Sequence, residues 1–292
     1  MKVGILEFRD NDFTRSVAER LSDLDVEFIR VGQISHPSSP PYDVIVDRIS
    51  FCDPFLREVM KYWSLAGARV INDPFFSLNS DKLTELLWCD RLSIPHPRTV
   101  LLPRPNPAED LREMVADPDW DALAAKVGFP CIVKPVDGYA WQDVTRVETL
   151  GELRILHGTL GGSRTLIVQE LVRWVDYYRA FCVSRRDTRI VKWNPRPLDM
   201  GEYVHTNLEA IADLEGFIAE KTVELNAALG LDFNSVEWCV TADRKALIID
   251  SNNDVPDVRK EKIPPESYDW IVDRFSACVR ETLGSGPDAR GG

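Results

Sequence analysis

The sequence predicts an α/β and α+β protein with a small parallel α/β domain at its N-terminus and further lobes behind it. Three observations support this. Apolar runs alternate with helical periodicity over the first 75 residues, and this alternation indicates a parallel sheet. Two strand-like runs near the C-terminal end are joined by a short polar turn, as in an antiparallel hairpin. The chain of 292 residues also exceeds what one core usually serves.

The N-terminal domain is predicted from strands and helices that follow one another. Phe13, Val17 and Leu21 recur at helical spacing, and residues 55–65 form a second periodic stretch. Because a crossover helix joins neighbouring parallel strands, this order predicts β-α-β connections. The predicted strands are residues 3–7, 26–29, 44–46 and 69–71.

The remaining elements are predicted by capping and stop signals. Ser80 and Asp81 are suited to cap a helix, and Gly128 ends another. The predicted helical stretches are residues 82–92, 121–127, 208–229 and part of 103–119. The predicted strands are residues 99–102, 131–135, 165–169, 179–183, 188–192, 235–240 and 246–249.

Composition argues against several classes of function. The 35 Lys and Arg residues against 47 Asp and Glu residues give a net charge of −12, and no basic run is present, so neither nucleic acid nor a membrane is expected as a partner. The N-terminus shows no signal peptide or membrane span, which predicts a cytoplasmic protein. The six cysteines are widely spaced, which favours neither structural zinc nor a disulfide framework.

Acidic side chains on two neighbouring strands indicate a metal site. Glu237 lies within an apolar strand, and Asp250 directly follows the next strand, two residues before Asn252. In a hairpin these side chains point to one side, because residues two apart share a face. Two carboxylates and an amide oxygen suit Mg²⁺ or Mn²⁺. The alternative interpretation is that residues 250–254 form a polar turn.

Cationic side chains favour the binding of phosphate nearby. Lys134 ends an otherwise apolar strand, where an ammonium group needs a partner such as phosphate. Arg179 enters another strand, and its planar guanidinium suits phosphate oxygens. Lys82 begins a helix, and a lysine in such a position, taken alone, is usually a solvated residue.

In this order the segments resemble the ATP-grasp superfamily, and within it the RimK-like carboxylate–amine ligases. No single segment is specific; the order of all six over about 170 residues carries the resemblance. The segments are Ser80-Asp81-Lys82, Ile132-Val133-Lys134-Pro135, Ile167-Val168-Gln169-Glu170-Leu171-Val172, Tyr178-Arg179, Val236-Glu237-Trp238 and Ile249-Asp250-Ser251-Asn252.

The resemblance implies an ATP molecule held between two α+β lobes, with Mg²⁺ or Mn²⁺ as its metal. It implies a pre-ATP-grasp domain over residues 1–75, a central lobe over 76–168 and a C-terminal lobe over 169–283; residues 284–292 are predicted to be a disordered tail. Lys82 and Lys134 would lie near the phosphates. Four successive residues would contact adenine, and three others would hold the metal: Gln169, Glu170, Leu171 and Val172, then Glu237, Asp250 and Asn252.

The resemblance also implies catalytic roles and shows departures. Arg179 would stabilise the transferring phosphoryl group, Asn207 matches an expected asparagine, and His205 replaces an expected arginine. A loop residue is the alternative interpretation of His205. A glycine-rich flap is expected where this chain has Tyr139 and Trp141, and Asp176 is one position away from the acid expected near ribose.

The expected function is ATP-dependent ligation of a small, amino-acid-like carboxylate to an amine, releasing ADP and phosphate. A ring-closing version, as in D-cycloserine synthetase-like enzymes of natural-product pathways, stays open. So do an ATP-grasp kinase, a catalytically silent nucleotide-binding protein, and a homodimer. Small molecules are the expected partners. At the strand ends of the first domain, four charged residues are candidates for recognising a zwitterion or are solvated: Glu7, Arg9, Asp47 and Arg48.

Overall fold

The computed structural model describes residues 1–76, 82–137, 142–195, 202–203 and 208–284. Within these ranges the strands form one parallel sheet and two antiparallel sheets. This arrangement confirms the predicted class, α/β at the N-terminus followed by α+β.

The first sheet is parallel, with strand order β2-β1-β3-β4. Its strands are β1 (Lys2–Leu6), β2 (Asp25–Phe28), β3 (Val44–Asp47) and β4 (Arg69–Ile71), and its helices are α1 (Asp12–Arg20) and α2 (Pro54–Leu65). Both helices begin at a side-chain cap. Asn11 accepts a hydrogen bond from the Thr14 amide, and Asp53 accepts one from the Leu56 amide, which satisfies amides that have no partner inside the helix.

The second sheet is antiparallel, with strand order β5-β8-β6-β7. Its strands are β5 (Thr99–Leu102), β6 (Cys131–Pro135), β7 (Thr145–Val147) and β8 (Leu166–Glu170); the helices in this part of the chain are α3 (Lys82–Arg91), α4 (Trp120–Val127) and α5 (Leu150–Thr159). Val133 and Val168 belong to the buried core on one face. The alternation of a strand therefore turns Ile132, Lys134 and Gln169 to the other face, where they line a cavity.

The third sheet is antiparallel, with strand order β11-β10-β9-β12-β13. Its strands are β9 (Trp174–Val183), β10 (Asp187–Asn194), β11 (Glu202–Tyr203), β12 (Phe233–Thr241) and β13 (Ala246–Asp250), and the helices that follow β11 and β13 are α6 (Glu215–Ala228) and α7 (Pro265–Gly284). Helix α6 covers one face of this sheet through its contacts with β9, β10 and β12. Helix α7 contacts β9 and β10 as well as α1 and β3.

One hydrophobic core joins the first and third sheets. Phe13 of α1, Phe233 of β12 and Phe275 of α7 are fully buried and form mutual ring contacts, with centroids 4.7 to 5.6 Å apart. The second sheet has a separate core under α4 and α5. The N-terminal sheet is thus anchored to the third sheet through α7.

Several local expectations need correction. Residues 103–119 contain one short helical turn, Glu109–Leu111, in place of the expected helix. Strand β7 and helices α5 and α7 are additional to the predicted elements. Of the predicted tail, residues 284–292, the structure describes Gly284, which ends α7, and the rest lies outside the described residues.

No helix in the described part of the chain combines the length and the apolar character that crossing a membrane requires.

Candidate active site

A cavity of about 330 Å³ lies between the second and third sheets. Its walls come from β6 and β8 on one side and from β9, β12 and β13 on the other. Nine of the twelve predicted site residues line it directly. The lining includes Lys82, Lys134, Gln169, Glu170, Leu171, Val172, Trp174, Tyr177, Arg179, Glu237, Asp250 and Asn253.

The strand register brings the predicted acids and Arg179 together. Glu237 of β12 is paired with Arg179 of β9 on one side and with Asp250 of β13 on the other. The β12–β13 pairing changes register next to Glu237. Directly opposite residues of an antiparallel pair have adjacent side chains, so three residues distant in sequence meet at one wall of the cavity.

Glu237 is buried and accepts hydrogen bonds from two neighbours on β9. Arg179 donates from Nε and Nη2 to Oε1 at 3.0 and 2.6 Å, and Tyr177 donates from its hydroxyl to Oε2 at 2.6 Å. Burial and the neighbouring Glu237 raise the pKa of Tyr177 well above its usual value. The Arg179 guanidinium also packs on the ring of Trp193, 4.1 Å from the centroid. Both carboxylate oxygens of Glu237 therefore accept hydrogen bonds from β9.

Asp250 forms an ion pair with Lys82 at the start of α3. The Lys82 ammonium lies 2.9 and 3.1 Å from the two carboxylate oxygens. Burial alone would raise the pKa of Asp250, but Lys82 and Lys134 outweigh burial and lower it. Burial would lower the pKa of Lys82, but Asp250 and Glu85 raise it. Both partners thus carry full charge at neutral pH.

Lys134 is a buried ammonium group with few partners. It is 9% exposed, and its Nζ donates to the carbonyl of Ile249 at 3.3 Å. Burial, together with repulsion from Lys82, lowers the pKa of Lys134 to about 8. A cation that is stabilised so weakly by the protein favours an anionic ligand in the cavity.

At the other end of the cavity, a chain of hydrogen bonds orients the buried side chain of Gln169. The Thr99 hydroxyl donates to the carbonyl of Pro97 at 2.9 Å, so its oxygen accepts from Gln169 Nε2, also at 2.9 Å. A carbonyl only accepts, which excludes the flipped amide. Gln169 therefore presents its oxygen, an acceptor, to a ligand in the cavity.

The two residues after β8 supply backbone groups. Leu171 and Val172 line the cavity and their amides and carbonyls form no hydrogen bond within the described part of the chain. The carboxylate of Glu170 is paired with Arg98 at 2.6 Å. The charge of Glu170 is accordingly compensated within the protein, and its amide donates to the carbonyl of Arg98 at 3.0 Å.

The residues after β13 fit a hard cation in part. Asn252 Oδ1 is buried and has no hydrogen-bond partner in the described structure, as expected of an oxygen reserved for a ligand. The neighbouring Asn253 lines the cavity beside Glu237 and Asp250, and its amide nitrogen donates to Ser235. Across the described ranges no three Asp, Glu, His or Cys side chains form a metal-binding group. Asn252 itself is not among the residues that line the cavity. The carboxylates of Glu237 and Asp250 do line it, and two such ligands suit Mg²⁺ with water and phosphate as further ligands.

Several candidate residues are not brought into this cavity. His205, Asn207, Tyr139 and Trp141 lie outside the described residues. Asp176 is paired with Lys192 at 2.5 Å. The four charged candidates at the strand ends of the first sheet are absent from the lining of the cavity. Glu7, Asp47 and Arg48 are largely buried at the carboxyl edge of that sheet. Arg9 is exposed.

Two site residues escape the sequence analysis. Tyr177 lies two positions before Arg179 and so shares its strand face. The two-residue period of a strand could therefore have indicated that Tyr177 belongs to the site. Glu85 lies one helical turn after Lys82, is buried, and accepts a hydrogen bond from the Ser251 hydroxyl. Its role depends on a contact with a residue 166 positions away, which local sequence does not reveal.

The fold and cavity define a class of protein: the chain has the ATP-grasp fold. Solved structures that match it over more than nine tenths of the chain include the ATP-grasp ligase PsnB and a RimK domain ATP-grasp protein. The sequence matches no family model, and no curated protein is found to match it.

Three of these structures illustrate the likeness. D-cycloserine synthetase DcsG matches with a TM-score of 0.69 at 17% identity, over 97% of this chain and 100% of that chain. A RimK domain ATP-grasp protein from Sphaerobacter thermophilus has a TM-score of 0.66 at 16% identity, over 98% and 100%. The macrocyclase MdnC from Microcystis aeruginosa, bound with the precursor peptide MdnA, has a TM-score of 0.63 at 16% identity, over 96% and 99%.

Proposed function

We propose that the chain is an ATP-dependent ligase that activates a carboxylate as an acylphosphate and joins it to an amine. The observation that carries the proposal is the composition of one cavity. Lys82, Lys134 and Arg179 line it together with the carboxylates of Glu237 and Asp250. Phosphoryl transfer requires mainly positioning and the neutralisation of charge, and these residue types supply both.

Adenine would bind between the second and third sheets, beside the end of β8 and the residues that follow it. Gln169 Oε1 is an acceptor and would receive the exocyclic amine, while the free backbone groups of Leu171 and Val172 would contact the ring edge. Trp174 and Tyr177, whose rings are 5.5 Å apart, line the same cavity. The triphosphate would then extend toward Lys134, Lys82 and Arg179.

The cationic side chains and the metal ion would have different roles at the phosphates. Lys134, with its weak set of partners, would pair with a phosphate oxygen. Arg179 would stabilise the transferring phosphoryl group through guanidinium N–H groups not used by Glu237. Glu237, Asp250 and Asn252 would hold Mg²⁺ or Mn²⁺, which when bound neutralises phosphate charge. Loss of a group that contacts developing charge typically lowers kcat by about 10²–10³-fold.

The proposed reaction balances without a protein nucleophile. A carboxylate oxygen of the substrate attacks the γ-phosphorus, the bond to the β-phosphate oxygen breaks, and ADP leaves. An amine then attacks the acyl carbon, phosphate departs with the bonding electron pair, and the amine loses one proton to solvent. His205 and Asn207 stay candidates for contacts in this second step. The proposal includes an amine of the same molecule as well as an amine of another, since MdnC is a macrocyclase and DcsG a synthetase.

Nucleotide product analysis tests the proposal. Mg²⁺-ATP would be supplied with single and paired amino acids, ureido and hydroxy acids, and peptides with side-chain carboxylates. We expect ADP and phosphate only with a particular carboxylate, and an acyl hydroxamate when hydroxylamine replaces the amine. A phosphorylated hydroxyl product would indicate a kinase, and tight ATP binding without turnover a silent binding protein. Release of AMP and pyrophosphate would contradict the mechanism.

A further inference from the structure

The segment after β13 is held in place by hydrogen bonds from several elements. Asn234 of β12 contacts both the carbonyl of Ser251 and the amide of Asn253, at 3.0 and 2.7 Å. The carbonyl of Asn253 accepts from the Ser235 amide at 3.2 Å. Against this background the buried Oδ1 of Asn252 is left without a partner in the described structure. Asn252 Oδ1 is thus an unsatisfied acceptor in a segment whose backbone is held by hydrogen bonds within the described residues.

Two of the remaining supports come from the N-terminal sheet. Asn72 follows β4 directly, is buried, and donates from Nδ2 to the carbonyls of Asp254 and Phe233 at 2.9 and 2.7 Å. Its Oδ1 accepts from the Phe233 amide at 2.8 Å. A backbone amide only donates and a carbonyl only accepts, so these three partners leave a single orientation of the Asn72 amide. Asn72 thus ties the start of β12 to the segment after β13.

Arg48 provides the second support. It follows β3, and its Nη2 donates to the carbonyl of Pro256 at 2.6 Å. The guanidinium packs against the rings of Phe13 and Phe233, 5.0 and 5.7 Å from their centroids. Its Nε and Nη1 are buried without a hydrogen-bond partner among the described residues, although Glu7 lies 3.8 Å from Nε.

We infer that the N-terminal sheet is part of the metal site, with Asn72 and Arg48 as positioning residues. They hold the segment from Ser251 to Pro256, which directly follows Asp250 and contains Asn252. The inference rests on the proposed function, because it takes Asp250 and Asn252 as metal ligands. Substituting groups that orient metal ligands typically weakens metal affinity by about 10–100-fold.

The experiment measures Mn²⁺ binding by electron paramagnetic resonance in the presence of saturating ADP. Asn72→Asp keeps the shape of the side chain but places an oxygen against two carbonyl oxygens. We expect its Mn²⁺ Kd to rise about tenfold, while its affinity for ADP without metal stays unchanged. The matched control is Asn226→Asp in α6, which is also buried and also donates to a carbonyl, that of Thr222 at 2.7 Å. It should lose stability and keep the wild-type Mn²⁺ Kd.

Arg48→Met gives a second test if Asn72→Asp does not fold. Methionine keeps an apolar contact with the two phenylalanine rings but loses the hydrogen bond to Pro256. Removing a positive charge would by itself strengthen the binding of a cation, so a weaker Mn²⁺ Kd reports the position of the segment.

Wild-type Kd values in both Asn72→Asp and Arg48→Met, or equal weakening in Asn226→Asp, would overturn the inference. A wild-type protein that binds no Mn²⁺ with ADP would instead overturn the proposed metal site itself.

Discussion

The ionisation of the Lys134 side chain should depend on the ligand. In the free protein its pKa is lowered to about 8, first by burial and then by Lys82. A bound phosphate would favour the ammonium form and raise this pKa. At pH 8 we expect nucleotide binding to take up roughly half a proton, because about half of the free protein is deprotonated there.

Calorimetry in two buffers with different ionisation enthalpies measures this uptake. It should fall toward zero at pH 6.5, where Lys134 is already charged. In Lys134→Arg, which stays charged throughout, no uptake should be seen at pH 8. Proton release at pH 8 in the wild type would contradict the assignment of Lys134 to the phosphates.

Gln169 leads to a second prediction at this scale, on the choice of nucleobase. Its fixed Oε1 accepts from the amine of adenine and opposes the carbonyl of guanine. Gln169→Leu should reduce the ratio of ATP to GTP affinity by about tenfold, the equivalent of one lost hydrogen bond and one relieved repulsion. Titration of both nucleotides measures it.

Thr99→Val is the companion variant. It removes the hydroxyl that fixes the amide of Gln169, so the amide can turn and present its NH₂ group to guanine. GTP affinity should increase. If Thr99→Val keeps the wild-type ratio, the hydrogen-bond chain to Pro97 does not set the preference.

Residue types explain which parts of the site the sequence predicts. Lys134 and Glu237 are charges inside apolar strands, and such charges need a specific partner wherever they are buried. The partner itself is harder to infer. Tyr177 and Arg179 meet Glu237 only because β9 pairs with β12 in one register, and pairing over 58 residues leaves no local signal. The same applies to Asn72, whose partners are more than 160 positions away.

At the level of elements, the pairing of β9 with β12 places a buried ion pair in the wall of the site. Arg179→Met would leave the carboxylate of Glu237 without its guanidinium partner in a buried position. We expect a loss of about 3–5 kcal/mol of unfolding free energy, because an uncompensated buried charge is costly. Denaturant unfolding provides the measurement.

The double variant Arg179→Met with Glu237→Gln separates charge from packing. Neutralising the remaining carboxylate should recover more than half of the lost stability, although the double variant should stay inactive. If the double variant is less stable than Arg179→Met alone, the hydrogen bond from Tyr177 to the carboxylate outweighs the effect of charge.

The elements themselves differ in how far the sequence predicts them. The strands of the first sheet are short apolar runs, and α1, α2 and α4 have clear caps or stop signals. Strand β7 has three residues, too few for alternation to be evident. Helix α7 carries buried serines and charged residues between its apolar positions, which obscures its periodicity because its neighbours come from two different sheets.

For the whole molecule, the packing of α7 determines which sheets share a hydrophobic core and should unfold together. Phe275 contacts Phe13 of the first sheet's helix and Phe233 of the third sheet, with ring centroids 5.3 and 4.7 Å apart. The core of the second sheet is built from other residues. The first and third sheets should therefore unfold together, and the second sheet should be able to open by itself.

Phe275→Ala tests this division. Removing the ring should cost about 3–5 kcal/mol, and hydrogen exchange should show equal losses of protection in β1 and β12, with little change in β6. Leu153→Ala, at a fully buried position of the second core, is the matched control and should lower protection in β6 and β8 alone. Unequal losses in β1 and β12 would mean that the N-terminal sheet is an independent unit. In that case the contacts of Asn72 and Arg48 with the proposed metal-binding segment should persist when α7 unfolds locally, because those contacts do not involve that helix.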